Sequence, residues 1–295
     1  MIAPLLSAWR RTGADLPFAN PAATRRTPFE GWYWRLSDPV SGRVIVVLCG
    51  AMRGWTLGAM AALPGGFVRE RVAPAPADLV DGHLRARIAA DATVDAEITP
   101  VHAWPRRPLG ALGAAHLLPF LPQYWQPLVL RGRVHGEARV GGERVALDGW
   151  DAYHEKNWGP AFAGDWWWGQ AHLGEGADVA FAGGDVRGLS PTAVVLRMGR
   201  RVLAIAPPAV VRARTGDGTW VVRARSARHR VTIEAQGGDP VVLPVPAKSG
   251  VEHRSHQVLA GRLHLRVEHR GRRIVDEEST LAGLERGFSS LPAPA

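Results

Sequence analysis

The stretch DAYHEKNWG, Asp151–Gly159, is followed seven residues later by WWWGQ, residues 166–170. Between Glu155 and Trp168 it gathers a carboxylate, an ammonium, a carboxamide and four tryptophans. Lys156 is one of two lysines in a chain whose other basic side chains are arginines, so its presence is not background composition. In a β-strand consecutive side chains point to opposite faces, which separates Glu155 from Lys156. A second Trp-dense element, FEGWYWR at residues 29–35, lies about one domain-length upstream. Each element opens a half of the chain and is followed by meander-like strands. This weak repeat predicts an all-β protein of two antiparallel β-barrel halves, 1–150 and 151–295, with the boundary near residues 149–153.

The rest of the chain agrees with that class. VIVVLCGAM (Val44–Met52), residues 128–140, 144–150, 193–198, 209–214, 219–226, 229–235, 262–269 and 272–280 read as strands, several alternating apolar and polar residues. In RLHLRVEH, Leu263, Leu265 and Val267 share one face. Glycine-rich turns such as Gly141-Gly142 and Gly216-Asp217-Gly218 supply the positive φ that tight hairpins need. Strands spaced by about ten residues point to a sandwich or barrel. The apolar, proline-punctuated segment 111–127 suits a short helix and an irregular loop, either walling a pocket or running as a buried linker.

Composition narrows the function. The chain has 295 residues, 46% hydrophobic and 21% charged, the balance of a globular protein with a large core. The net charge of +9 comes from arginines spread along strands, without zinc-finger, helix-turn-helix or RNA-binding patterns, so no nucleic-acid partner is expected. The single cysteine, Cys49, sits in an apolar run and reads as a buried thiol. The N-terminal segment has the wrong charge order for a signal peptide, and no apolar run reaches the ~18 residues of a membrane span. A cytoplasmic location is expected, with peripheral membrane contact left open along with the oligomeric state. No P-loop, dinucleotide glycine fingerprint, nucleophile elbow or metal-ligand spacing is present, so no cofactor and no metal are expected.

The tryptophans have two readings: barrel packing, or the wall of an apolar cavity whose ring faces stabilise a cation. Glu155 likewise either joins an ion pair at the domain junction or faces a dry pocket, where desolvation makes it a general acid near neutral pH. Asp151, Tyr153 and His154 are further proton-transfer candidates. Glu30, just before Trp32, Tyr33 and Trp34, mirrors the arrangement in the first half.

At these residues the chain resembles the tocopherol cyclase family. FEGWYWR is similar to its FEGWY motif, and YHEKNWG followed by WWWGQ to its Y-x-EKNWG and W-x-Q motifs. PFLPQYWQ (residues 119–126) resembles the segment that precedes them, and VDEESTLAGLERG (residues 275–287) its C-terminal strand. The resemblance runs in order over nearly the whole chain. It implies two lipocalin-like barrels and cofactor-free cyclisation of an apolar, prenylated hydroquinone to a chromanol. An acid protonates the prenyl alkene, and the phenol oxygen captures the tertiary cation. On that reading Glu155 is the acid, with Tyr153 and His154 relaying protons and Lys156 and Asn157 orienting the phenol oxygen. Glu30, Trp32, Trp34, Trp125, Trp158, Trp168 and Gln170 surround the substrate. The same Trp-lined barrel would equally serve a carrier that leaves its isoprenoid unchanged, or a hydratase in which water captures the cation.

Overall fold

Two ten-stranded antiparallel sheets account for nearly all of the structure, a computed structural model that describes residues 2–14, 27–52, 54–73, 77–80, 82–105, 110–119, 121–174, 176–186, 188–247 and 250–288. Phe120 of the PFLPQYWQ motif lies outside the described residues. A helix, α1 (Ile2–Arg11), precedes the first sheet. That sheet contains β1 (Phe29–Ser37), β2 (Val44–Met52), β3 (Trp55–Leu63), β4 (Phe67–Val72), β5 (Ala77–Val80), β6 (His83–Ala89), β7 (Ala92–Ala103), β8 (Tyr124–Val140), β9 (Glu143–Ala146) and β10 (Asp151–Gly159). The second contains β11 (Trp166–Leu173), β12 (Ala177–Gly184), β13 (Thr192–Met198), β14 (Arg201–Ile205), β15 (Val210–Gly216), β16 (Thr219–Arg225), β17 (His229–Gln236), β18 (Val241–Ala247), β19 (Gly250–His269) and β20 (Arg272–Gly287).

The two sheets share one topology. Their strand orders are β4-β3-β2-β1-β10-β8-β7-β6-β5 and β14-β13-β12-β11-β20-β19-β17-β16-β15. Each path curls until its ends approach, β4 towards β6 and β13 towards β15, giving two nearly closed, lipocalin-like barrels. The expected repeat is therefore real, and β1 and β10 correspond to β11 and β20. One correction follows from the pairing. Asp151–Gly159 hydrogen-bonds along all of β1, so it completes the first sheet. The sheet boundary falls between Gly159 and Trp166, not at 150/151. A strand can close a barrel only by pairing with both its neighbours, and β10 has β1 on one side and β8 on the other.

Each barrel has its own apolar filling. Trp34, Val47, Met60 and Val94 belong to the first, and Phe181, Leu196, Trp220 and Leu265 to the second. A third cluster, including Tyr33, Trp125, Tyr153 and Trp168, lies between the barrels. β1, β10 and β11 are consequently buried on both faces, one against a barrel interior and one against the seam. This double burial explains why the Trp-rich segments read as nearly continuous apolar runs rather than alternating strands.

Buried charge crosses the seam. Arg35 of β1 donates to the carbonyls of Leu259 (2.9 Å) and Leu281 (2.6 Å) in the second barrel. Burial lowers its guanidinium to about 10, so it remains a cation at neutral pH. Gly283 leaves the room for this: a Cβ there would stand 2.8 Å from Arg35 Nε. Elsewhere on the seam Arg131 of β8 meets Asp178 of β12 at 2.9 Å, with Arg197 and His172 on the same carboxylate.

Segment 111–127 forms a 3₁₀ turn (Gly113–Leu117) and then enters β8. α1 packs beside it through Trp9 Nε1, which donates to the Leu117 carbonyl at 3.0 Å. Among the described residues no helix is long and apolar enough to cross a membrane.

Candidate active site

The register of β1 on β10 sorts the signature residues into two sets. Tyr33 stands opposite Glu155 and Gly31 opposite Asn157, while Trp32 stands opposite Lys156 and Trp34 opposite His154. Residues directly opposite one another share a face. Tyr153, Glu155 and Asn157 therefore face the seam, and His154 and Lys156 face the interior of the first barrel. A cavity of about 180 Å³ opens on the seam side, between the barrels rather than inside either. Its walls include Tyr33, Trp125, Trp166, Trp168, Leu243 and Glu155, and segment 111–127 contributes Leu112, Ala115 and Leu121.

Glu155 is 4% exposed and saturated with donors. Its Oε2 accepts from Trp125 Nε1 (2.6 Å), the Tyr153 hydroxyl (2.7 Å) and Trp168 Nε1 (2.8 Å). Its Oε1 accepts from Asn157 Nδ2 at 3.1 Å, and Gln123 Nε2 fixes that amide by donating to Asn157 Oδ1 at 2.8 Å. Burial raises the Glu155 carboxyl above its ordinary range, and the four donors pull the other way. Burial also holds the Tyr153 and Tyr33 hydroxyls well above their ordinary values, so both stay protonated.

A second carboxyl on the cavity wall was not among the sequence candidates. Glu285 of β20 accepts from Trp166 Nε1 (2.7 Å) and the Ser255 hydroxyl (2.8 Å), with Gln257 Nε2 at 3.4 Å. Burial lifts it to about 7; the Ser255 and Trp166 bonds oppose that rise and the nearby Glu155 charge adds to it. The two carboxyls are connected through one bridge. Tyr33, opposite Glu155, accepts at its hydroxyl from Gln257 Nε2 (2.9 Å), and Gln257 stands opposite Glu285. A signal for Glu285 exists in the sequence. Gly283-Leu284-Glu285-Arg286-Gly287 puts glycines on the same strand face as the carboxylate, and a Cβ at Gly287 would overlap the Trp166 ring. Only the partner strands reveal what those glycines accommodate.

The remaining expected residues divide. Trp125, Trp168, Asn157 and Glu155 reach the cavity from the seam, Trp32 also lines it although it packs on the first-barrel core with Lys156, and Tyr153 supports Glu155 from behind. Lys156 does not reach it. Its Nζ lies 2.8 Å from Glu30 Oε2 and 4.8 Å from the Trp32 ring centroid, with the side chain fully buried. Glu30 is thus its ion-pair partner rather than a second cavity carboxylate. His154 stacks on Trp34 at 4.8 Å, its Nδ1 3.0 Å from the Tyr33 carbonyl. Burial lowers it to about 4, so it is a neutral packing residue inside the first barrel and no relay. Trp34 lies there too. Trp158 belongs to a small cluster with Tyr124 and Ala14 and donates to the Gly13 carbonyl at 2.9 Å, away from the cavity. Gln170 sits under Arg35, accepting from it at 3.4 Å. For His154 and Lys156 strand alternation is the reason: the two residues that flank Glu155 point to the opposite face of β10. Among the described residues no cluster of three or more potential metal ligands occurs.

Known proteins resemble this chain in sequence and in fold. The rice (Oryza sativa subsp. japonica) probable tocopherol cyclase, chloroplastic, is 26% identical over 217 residues, 64% of this chain and 45% of the relative. The maize (Zea mays) tocopherol cyclase, chloroplastic, is 26% identical over 211 residues, covering 64% and 44%. The chain thus spans under half the length of these curated relatives. Among solved structures, CghA with Sch210972 superposes with a TM-score of 0.64 at 13% identity, over 95% of this chain and 97% of that one, a likeness of fold alone. The model of the family described as tocopherol cyclase-like matches residues 73–288, a span that includes the strands carrying Glu155, Trp168 and Glu285, and the chain belongs to that family.

Proposed function

We propose that the protein cyclises a prenylated hydroquinone to a chromanol in the seam cavity, without a cofactor. The observation that carries this reading is a buried carboxyl, Glu155, on the wall of an apolar, tryptophan-lined cavity. Such a cavity supplies what the reaction needs: a carboxyl shielded from water, aromatic faces for a tertiary cation, and apolar space for an isoprenoid tail. The reaction is an isomerisation. A proton adds to the alkene, the ring oxygen forms a C–O bond to the resulting cation, and the phenol proton leaves, so no oxidant or reductant enters. A solved protein of the same fold, CghA, holds Sch210972, which supports a small-molecule role for this architecture.

Incubation of the purified protein with a prenylated hydroquinone, followed by chromatography and mass spectrometry, tests the reading. A product of unchanged mass and altered retention is expected. Unchanged substrate would instead mark a carrier, and a product heavier by one water a hydratase.

Delivery of so apolar a substrate fits a peripheral lipid contact. Leu5 and Leu6 of α1 and Leu117 and Leu118 beside it are exposed, with Arg10 and Arg11 at the end of the helix, and Leu112 and Ala115 of the adjoining turn reach the cavity. Apolar residues flanked by cations suit an anionic bilayer surface. Co-sedimentation with phosphatidylglycerol vesicles is expected for the wild type and lost on Leu5→Glu/Leu118→Glu. Equal sedimentation of both would remove the lipid contact from the proposal.

A further inference from the structure

The two barrels contribute equivalent strands to the seam, and each brings one glutamate. Glu155 lies on β10 beside β1, and Glu285 on β20 beside β11, the corresponding pair in the second sheet. Glu155 is buried and Glu285 partly so, both line the cavity, and Trp168 binds them together: its indole donates to Glu155 while its backbone position is opposite Glu285. Their surroundings differ. Three of the four donors on Glu155 are indole or amide N–H groups, which cannot reverse to accept a proton from it. That shell is matched to an ionised carboxylate. Glu285 has two close donors, one of them the Ser255 hydroxyl, which can turn to accept a hydrogen bond instead. Two like charges around one apolar cavity are also disfavoured, so the member with fewer close donors holds the proton.

We propose that the cavity works with both carboxyls in unequal roles, Glu285 as the proton donor and Glu155 as the carboxylate that faces the cation and accepts the phenol proton. This inference rests on the cyclase reading and reverses the role expected for Glu155. In the forward step the Glu285 O–H bond breaks and a C–H bond forms at the prenyl alkene. The phenol oxygen then forms the C–O bond, and its proton passes to Glu155. The net result is one proton moved from Glu285 to Glu155, restored by exchange with solvent when the product leaves. Tyr33 lines the cavity between the two, and its hydroxyl accepts from Gln257 and keeps its own hydrogen to offer a ligand oxygen.

Infrared difference spectroscopy tests the assignment without any substrate. At about pH 6 the wild type should show the C=O stretch of a protonated buried carboxylic acid. That band should vanish in Glu285→Gln and persist in Glu155→Gln. Persistence in Glu285→Gln with loss in Glu155→Gln, or no such band in the wild type, overturns the proposal. Trp166→Phe keeps Glu285 but removes a donor to its ionised form, so the midpoint of the band should move to higher pH, while Trp158→Phe should leave it in place. A midpoint unmoved by Trp166→Phe also counts against Glu285, even if Glu285→Gln fails to fold. Turnover of a prenylated hydroquinone, where present, should fall by about 10²–10⁴-fold in Glu285→Gln. Absence of wild-type turnover would remove the cyclase reading, whereas the infrared bands would still decide which carboxyl holds the proton.

Discussion

β1 with β10 and β11 with β20 are the same structural unit built twice, yet only the first announces itself. In the first unit Glu155 sits among Tyr153, Asn157 and two indoles, all of them functional-looking residues. In the second, Glu285 sits between two glycines, and its donors come from β11 and β19. Glu155 draws two of its four donors from its own strand and two from β8 and β11; Glu285 takes its close donors from other strands alone. Burial lifts Glu285 to about 7, with only the Ser255 and Trp166 bonds opposing the rise and the Glu155 charge adding to it. Acid–base chemistry near neutral pH is served when two such carboxyls take unequal protonation states, which is the division of roles proposed for Glu285 and Glu155.

The sharpest way to break this comparison is to neutralise each member in turn. Glu155→Gln and Glu285→Gln should each lower kcat by about 10²–10⁴-fold while the far-ultraviolet circular dichroism stays that of a β protein. Wild-type turnover by Glu285→Gln would leave Glu155 acting alone. The two faces of β10 can be separated next. Lys156→Met strands the buried Glu30 and should cost about 3–5 kcal/mol in urea unfolding. Arg43→Met, at the solvent-exposed pair with Glu143, should leave the urea midpoint almost unchanged. At temperatures where Lys156→Met is folded, it should still turn over, because the ammonium is not in the cavity.

The stability–pH profile gives a subtler test. Glu285 is raised from 4.5 to about 7, so its contribution is full below pH 4.5 and is lost as pH rises through about 7. His154 is lowered from 6.5 to about 4, so its contribution is full above pH 6.5 and is lost as pH falls through about 4. The two slopes oppose each other over nearly the same window, each worth about 3 kcal/mol. Relative to the wild type, Glu285→Gln should make stability rise with pH between about 4.5 and 6.5, and His154→Gln should make it fall. Parallel profiles for all three proteins would discount both assignments. The smallest effect concerns a single donor. Trp168→Phe removes one bond to the Glu155 carboxylate, about 1.5–3 kcal/mol, and should move the acid limb of kcat/KM to higher pH. Trp158→Phe, remote from the cavity, should leave that limb unchanged.

The all-β class, the doubled architecture and the importance of Glu155 were legible because they rest on local features: period-two alternation, turn glycines and a dense motif. The separation of Glu155 from Lys156 was legible too, since strand geometry alone requires it. The five strands β3–β7 were not read as strands. β3, WTLGAMAAL, is rich in alanine and glycine, residues of low strand propensity that are placed here by close packing on both faces. The sheet boundary falls one strand later than the repeat implies, because a Trp-rich strand that starts a repeat and one that closes the preceding barrel look alike in sequence. His154, Trp34 and Trp158 were drawn towards the site by proximity in the chain. Whether an aromatic residue packs a core or lines a cavity depends on what faces it, which is a long-range property.

That the chain folds into strands, that it does so twice and which strand carries the first carboxyl all follow from the order of residues, because backbone geometry and hydrophobic period act over a few residues. The cavity between the barrels, the hold of Glu30 on Lys156 and the place of Glu285 as the second carboxyl emerge only when strands distant in the chain pack together. Those outcomes depend on contacts between strands more than a hundred residues apart, and burial and charge pairing are settled only when those strands meet.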